Sequence, residues 1–296
     1  MPVNLHLHSL FSVDGWLTPE ELAERQAKRG VTVLSLTDHN TIAGLARCRK
    51  RAEALGMRFV SGLEIDAFWR GREYHFLGFG FDPDHAGLRT FCDRQFAQYA
   101  LNYARIHPVV ERCYGLDQAT LAKALPSRYR THPAPVLNKW FVRSYLEDSG
   151  LFPDAETAQT SMSAMIAEAE KDVVQPWDWA SFEEARDTVH AAGGLVLLAH
   201  VAGYKRDDFG FQADTIESML ADGLDGFELY HPANAAEPHF ERLVDAARRW
   251  GCAVSGGADS HGSREPRTRP DPPGFLAPDW IMDTIDKALG RKQNRQ

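Results

Sequence analysis

Twelve histidines stand in the 296-residue sequence, and several sit beside Asp or Glu at the ends of short apolar runs. That mixture of nitrogen and oxygen donors suits borderline divalent ions better than a thiolate site would. In His6-Leu7-His8 the two imidazoles are at i and i+2 of an extended run, hence on one face and close enough to grip a single ion. The run Val31 to Thr37 ends in Asp38-His39, the next ends at Glu64, the fourth carries His75, the fifth ends at His200 and the last in Asp259-Ser260-His261. Six strands thereby deliver a metal-competent side chain near their carboxyl ends, where functional side chains converge in α/β barrels. Asp14, in Ser12-Val13-Asp14-Gly15, adds a carboxylate on a turn after the first strand. A hydrogen-bonded structural role would account for any one of these histidines, and turn formation for Asp14; the joint placement points to a metal centre. His231, after Glu228-Leu229-Tyr230, ends a further strand at the same mouth, as a substrate contact or general acid, or in a structural role.

Positioning such a set requires alternating strands and helices. Val3 to His8 reads as extended, and Thr18-Pro19-Glu20-Glu21 carries a capping box that opens a helix to Arg29, stopped by Gly30. The strand Val31 to Thr37, a helix from Thr41 to Leu55, the strand Phe59 to Glu64 and the extended run Tyr74 to Phe81 follow. The alternation then stops, and the pattern turns helical over Thr90 to Glu111, Gln118 to Leu125, Val136 to Asp148 and Ala155 to Glu170. It resumes with a Ser181 cap, a helix to Ala192, and the strands Leu195 to His200, Gly226 to Tyr230 and Ala253 to Gly257. A proline-rich loop from Pro266 to Pro278 precedes a last helix, Asp279 to Leu289. About seven strands, mostly separated by helices, predict a parallel barrel or a doubly wound sheet. The expected organisation is a barrel over residues 1–88 and 177–296, interrupted by a helical subdomain over 89–176.

With 41 acidic against 33 basic residues the net charge is −8, which disfavours sequence-independent binding along duplex nucleic acid. No apolar stretch approaches the roughly 20 residues of a membrane-spanning helix, and Met1-Pro2-Val3-Asn4 lacks an export signal; the expected location is the cytoplasm. Cys48, Cys92, Cys113 and Cys252 are scattered without a CxxC pair and read as reduced core thiols. Against the acidic background, no Asp or Glu falls between Asp117 and Glu147, while Lys123, Arg128, Arg130, Lys139 and Arg143 do. This is either an anion clamp or a solvated positive helix face. Lys205 and Arg206 read as loop residues within reach of phosphate or solvent, and Trp177 and Trp179 as packing residues rather than a platform for a base.

The succession HLHSLFSVDG, LTDHNT, GLEI, HFLGFG, LLAH and GADSH resembles the polymerase and histidinol phosphatase (PHP) domain, over nearly all the chain outside the helical insert. The resemblance implies a distorted seven-stranded (β/α)7 barrel related to the amidohydrolases. It also implies two or three divalent ions, manganese first, with zinc or iron as alternatives. His6, His8, Glu64 and Asp259 would hold one ion, with Glu64 bridging to a second held also by His75 and His200, and Asp14, His39 and His261 would hold the third. Such ions lower the pKa of a shared water to give hydroxide near neutral pH and neutralise phosphoryl oxygens, which fits hydrolysis of a phosphoester. Two departures from the usual pattern are the extra residue in SVDG and Ala199-His200-Val201 in place of AHP. Within the insert, Arg130-Thr131-His132 with Leu137 resembles a stretch of one PHP branch. Its members remove the 3′-phosphate from nucleoside 3′,5′-bisphosphates or trim short RNA from the 5′ end. By that resemblance Arg130 and His132, with Lys139 and Arg143 of the basic run, would contact a substrate phosphate. The alternatives are a histidinol-phosphate type phosphomonoesterase, an amidohydrolase with a different ligand set, and a non-catalytic metal-binding accessory module.

Overall fold

The computed structural model describes residues 2–124, 137, 141–142, 145–146, 149–170, 177–204, 208–262 and 276–293. The chain divides into two compact units, Met1–Asp93 with Ala180–Gln296, and Arg94–Trp179.

The first unit holds an eight-stranded sheet: β1 (Val3–Asn4), β2 (Val33–Leu36), β3 (Arg58–Trp69), β4 (Arg72–Phe79), β5 (Ala180–Ser181), β6 (Leu195–Leu198), β7 (Gly226–Tyr230) and β8 (Ala253–Gly256). The order is β1-β2-β3-β4-β6-β7-β8, with the short β5 added to β3. Strands β1, β2 and β3 are parallel, as are β6, β7 and β8, whereas β4 runs antiparallel to both β3 and β6. The expected parallel arrangement therefore fails at β4. Instead of ending at Glu64, β3 continues to Trp69 and turns back through Arg70 and Gly71, both at positive φ (49° and 78°), the conformation of a two-residue hairpin loop.

Antiparallel pairing also corrects the expected position of His75. It lies in the first half of β4, opposite Asp66, and so comes to the end of the sheet where the parallel strands finish. Because directly opposed residues share a face and i, i+2 residues do too, Glu64, Asp66 and His75 project together.

Strand β1 is short because Thr37 takes over its pairing. The Leu7 amide donates to Thr37 Oγ1 at 3.1 Å, and Thr37 N donates to Leu7 O at 2.9 Å. No ladder joins β8 to β1 among the described residues, so the sheet is not closed by strand pairing as a seven-stranded barrel would be. Leu5 N nevertheless donates to Gly256 O at 3.0 Å, His8 N donates to Ser260 O at 2.8 Å, and Leu7 and Ser260 form an isolated parallel bridge. At Gly257 a Cβ would lie 2.3 Å from the His6 backbone nitrogen. Only glycine admits this approach.

Helices Pro19–Lys28, Leu45–Ala54, Phe182–Ala191, Phe209–Ala221, Phe240–Trp250 and Trp280–Gln293 accompany the sheet. The first carries the expected reciprocal cap, Glu21 N to Thr18 Oγ1 at 3.2 Å and Thr18 N to Glu21 Oε2 at 2.8 Å. Fully buried Leu34, Leu36, Leu63, Ile65, Phe76, Phe79, Leu195 to Leu198 and Phe227 form the centre of its core.

The second unit contains the greater part of helix Ala86–Tyr114 and helices Gln118–Ala124 and Ala155–Glu170. It has a core of its own, including Ile106, Val110, Leu121, Val142, Leu146 and Met162. The rings of Trp177 and Trp179 stack at 4.5 Å with Tyr99 edge-on to both, and all three are buried, as packing residues. Of the expected helix Val136 to Asp148 only Leu137, Phe141, Val142, Tyr145 and Leu146 are described.

Candidate metal centre

One carboxylate organises the mouth of the sheet. Glu64 is 1% exposed on β3, yet five imidazoles surround it. Its Oε2 lies 2.9 Å from His6 Nε2, 3.1 Å from His8 Nε2 and 3.5 Å from His39 Nε2. Its Oε1 lies 3.1 Å from His75 Nδ1 and 3.2 Å from His200 Nε2.

The backbone explains the convergence. The β2–β3 pairing reappears as an isolated bridge between His39 and Glu64, where Asn40 N donates to Glu64 O at 2.7 Å. Ala199 N donates to His75 O at 3.0 Å, which brings His200 beside His75. Asn40, His200 and Asp259 adopt positive φ of 54°, 25° and 49°. Each such non-glycine conformation costs on the order of 1–3 kcal/mol and persists only where neighbours enforce it.

Asp259 Oδ1 faces His8 Nε2 at 3.1 Å and His6 Nε2 at 3.3 Å, completing a group of His6, His8, Glu64 and Asp259 able to hold one ion. The extra residue of SVDG does not keep Asp14 away: its Oδ2 is 3.1 Å from His261 Nε2 and 3.6 Å from His39 Nε2. His8, Asp14, His39 and His261 form a second group of metal-holding geometry, and His39, Glu64 and His75 a third. All nine residues singled out as ligands thus meet in one place. His231 is there as well, with Nε2 3.3 Å from Asp259 Oδ2, while its Nδ1 accepts from Ala233 N at 3.1 Å and caps the short helix Pro232–Ala235. Arg130, His132, Lys139 and Arg143, together with Lys205 and Arg206, lie outside the described residues.

Several site residues were not singled out from the sequence. Glu228, on β7 and fully buried, receives the His6 Nδ1 proton at 2.9 Å and the His200 amide at 2.8 Å. A glutamate between Phe227 and Leu229 in an apolar strand was its only signal. Asp66, two residues beyond Glu64, meets His75 Nε2 at 3.1 Å and His39 Nδ1 at 3.6 Å. Asp38 accepts from both the amide and hydroxyl of Ser9, and Ser12 donates to Asp14 at 2.7 Å while accepting from His39 N. Tyr204 accepts from His75 N at 2.7 Å.

Charge pairing overrides burial at most of these groups. Burial opposes a proton on His8, but Asp259 and Glu64 beside it hold its pKa up at about 10. Burial likewise opposes protonation of His6, and Glu228, Asp259 and Glu64 raise it well above the ordinary value. His75 is raised to about 9 by Asp66 and Glu64 against the same penalty. Burial would lift Glu64 and Asp259, yet the imidazoles around them hold both well below the usual carboxylate range. His39 is the exception, lowered chiefly by burial. Asp38 is pushed up to about 6 by burial, against the hydrogen bonds from Ser9.

The donor set fits divalent cations. Buried carboxylates stand close enough to His6, His8 and His75 to favour a proton on each ring, and a cation would take the place of those protons. His8 Nε2, buried and 3.1 Å from two carboxylate oxygens, has no aligned hydrogen-bond partner among the described residues.

Comparison with known proteins agrees with this geometry. A family model described as PHP domain matches residues 4–124. The chain is 31% identical over 270 residues to a phosphoribosyl 1,2-cyclic phosphate 1,2-diphosphodiesterase of Eggerthella lenta, covering 88% of this chain and 94% of that protein. It is 28% identical to a 3′,5′-nucleoside bisphosphate phosphatase of Chromobacterium violaceum, over 94% of this chain and 95% of the relative. A 5′-3′ exoribonuclease of Haemophilus influenzae is also 28% identical, over 87% and 89%. A solved structure from Bifidobacterium adolescentis, described as a metal-dependent phosphoesterase, superposes with a TM-score of 0.78 at 25% identity, covering 97% of this chain and 98% of its own. Likeness that runs through nearly the whole of each of these proteins fixes the kinship: the chain belongs to the PHP domain family of metal-dependent phosphoesterases.

Proposed function

We propose that the protein hydrolyses a phosphate ester on a small ribose phosphate, namely a nucleoside 3′,5′-bisphosphate or a short oligoribonucleotide. The observation that carries the reading is the convergence of five imidazoles on Glu64, with Asp259 and Asp14 beside them. In this assignment His6, His8, Glu64 and Asp259 hold one ion, Glu64, His75 and His200 a second, and Asp14, His39 and His261 a third, with manganese the favoured metal. When bound, the ions supply an acidified water and neutralise phosphoryl oxygens.

The chain's own residues do the rest. Glu64, with one oxygen toward His6 and His8 and the other toward His75 and His200, would be shared by two ions. His231, with Nδ1 committed to the Ala233 amide, keeps Nε2 toward Asp259 and is the candidate general acid or substrate contact. The carboxyl ends of the parallel strands, with His75 of β4, would hold the metals. The helical insert expected over residues 89–176 would serve substrate binding, with Arg130, His132, Lys139 and Arg143 as the candidate contacts to a substrate phosphate.

A second reading has specific support. The Eggerthella relative is named for a phosphoribosyl cyclic phosphate, also a phosphorylated ribose, so a cyclic phosphodiester is the next substrate to offer. The deciding experiment is a turnover screen of the manganese-, zinc- or iron-reconstituted protein, read as inorganic phosphate released from monoesters and as mononucleotide or ring-opened monoester formed from diesters. Its substrates are nucleoside 3′,5′-bisphosphates, short RNAs, phosphoribosyl 1,2-cyclic phosphate and histidinol phosphate. Turnover of the bisphosphate or RNA well above the others is expected; preference for histidinol phosphate, or no turnover of any, overturns the proposal.

A further inference from the structure

Both carboxylate oxygens of Glu228 are committed to candidate metal ligands. Its Oε1 accepts from His6 Nδ1 at 2.9 Å, and its Oε2 accepts the backbone amide of His200 at 2.8 Å. The two bonds do different things. At His6 the acceptor keeps the ring proton on Nδ1 and leaves Nε2 facing Glu64 and Asp259. At His200 it holds a non-glycine residue at φ 25°, ψ 58°, a backbone state that would relax without an enforcing partner. That state directs the His200 ring onto Glu64 Oε1 at 3.2 Å.

The carboxylate is itself fixed. It is fully buried on β7, and Asn234 ties the adjoining turns together by donating to Glu228 O at 2.8 Å and accepting from Ala202 N at 3.0 Å. Both partners of Glu228 are donors, so a carboxylate satisfies both at once. A glutamine, with one acceptor oxygen and an NH2 group, satisfies only one and presents a donor to the other.

Resting on the ligand assignment proposed above, we infer that Glu228 is a positioning residue shared by two metal sites, aligning the imidazole of His6 for one ion and the backbone of His200 for the other. Loading of those two ions is thereby linked through one buried side chain, while the group of Asp14, His39 and His261 stands apart from it.

The test is metal binding rather than turnover. Metal-free full-length wild type and Glu228→Gln are titrated with Mn2+ against a competing chelator, and free Mn2+ is read by electron paramagnetic resonance. Two of the three ions should bind about 10- to 100-fold more weakly in the variant, the usual effect of losing a partner to a metal-bound histidine, with the third changed less than about twofold. Equal weakening of all three marks a general folding defect and overturns the inference. So does loss confined to one ion, or no loss. Wild type that takes up no Mn2+ overturns the ligand assignment itself, a distinct failure. Should Glu228→Gln not fold, the zinc-loaded wild type decides: long-range 1H–15N spectra should place the His6 proton on Nδ1, and a proton on Nε2 refutes the alignment.

Discussion

Replacing Glu64 by glutamine keeps its shape and removes its charge. In the metal-free protein that charge faces imidazole nitrogens at 2.9, 3.1, 3.1, 3.2 and 3.5 Å. Net of the burial that opposes it, the rise of His8 from 6.5 to about 10 corresponds to about 5 kcal/mol at 1.36 kcal/mol per pKa unit, the acids responsible being Asp259, Glu64 and Asp14. Glu64 takes part of that, and similar parts at His6 and His75. Loss of protons from the freed imidazoles returns some of it. The net cost at pH 7 is about 3–5 kcal/mol, in line with breaking one side of a buried ion pair. The assay is urea unfolding of metal-free protein in chelator, read by hydrogen–deuterium exchange in β3 and β4 so that this sheet is followed separately from the second unit. After metal is restored, turnover should fall about 1,000-fold or more, since several kcal/mol of charge stabilisation at the phosphoryl group goes with the ions. A variant as stable as wild type, or more stable, would show that the metal-free imidazoles are neutral and the electrostatic account wrong. Near-normal turnover would remove Glu64 from the centre of the site.

Metal-free protein should lose stability on both sides of neutrality. Raised histidines contribute fully below about pH 6.5, and that contribution disappears as pH climbs through about 9 for His75 and about 10 for His8. The depressed carboxylates Glu64 and Asp259 contribute above their ordinary range and cease to as acid protonates them; a flat stability profile from pH 7 to 10 in chelator would contradict this. Metal affinity should rise with pH over the same interval, because uptake displaces protons, and proton release measured on Mn2+ addition checks it. Asp14→Ala should remove the third ion selectively and lower kcat, and unchanged stoichiometry together with unchanged kcat would count against its role. Arg130→Ala should cut kcat/KM on a nucleoside bisphosphate by roughly 10- to 150-fold, from about 1.5–3 kcal/mol for a charge-assisted hydrogen bond. A monoester without a distal phosphate should be little affected, and equal losses on both would reduce the basic run to a solvated face.

The site was more legible than the sheet that carries it. Histidines and carboxylates are rare residue types at the ends of apolar runs, so the candidate ligands His6, His8, His39 and His200 announce themselves by position. The hairpin did not, because residues Ile65 to Trp69 continue the apolar pattern past Glu64 without a recognisable stop, and Arg70-Gly71 is a weak turn signal beside Asn-Gly. The direction of β4, and with it the end of the strand on which His75 sits, is a matter of tertiary pairing that periodicity does not encode. Glu228 and Asp66 were missed for a related reason. Their partners are other side chains distant in sequence, His6 lying 222 residues from Glu228, and a single buried carboxylate in an apolar strand leaves no spacing to read. The capping box at Thr18 and Glu21, a purely local device, was read correctly.

The order of the chain through the sheet has a consequence for how the protein is made. Strands β1 to β4 precede the residue 94–179 unit and β6 to β8 follow it. On the ribosome β4 therefore emerges with one edge bare, and its partner residues, Leu195 to Leu198 opposite Phe79 to Phe76, are still to be translated. At about 5–20 residues per second the interval lasts on the order of ten seconds. During it an apolar strand edge is open to other nascent chains, and His6, His8, Asp14, His39, Glu64 and His75 are already outside the tunnel without His200, Asp259 or His261. Because Asp259 and His261 emerge last of the nine candidate ligands, the set is complete only near the end of synthesis, once β8 has left the ribosome.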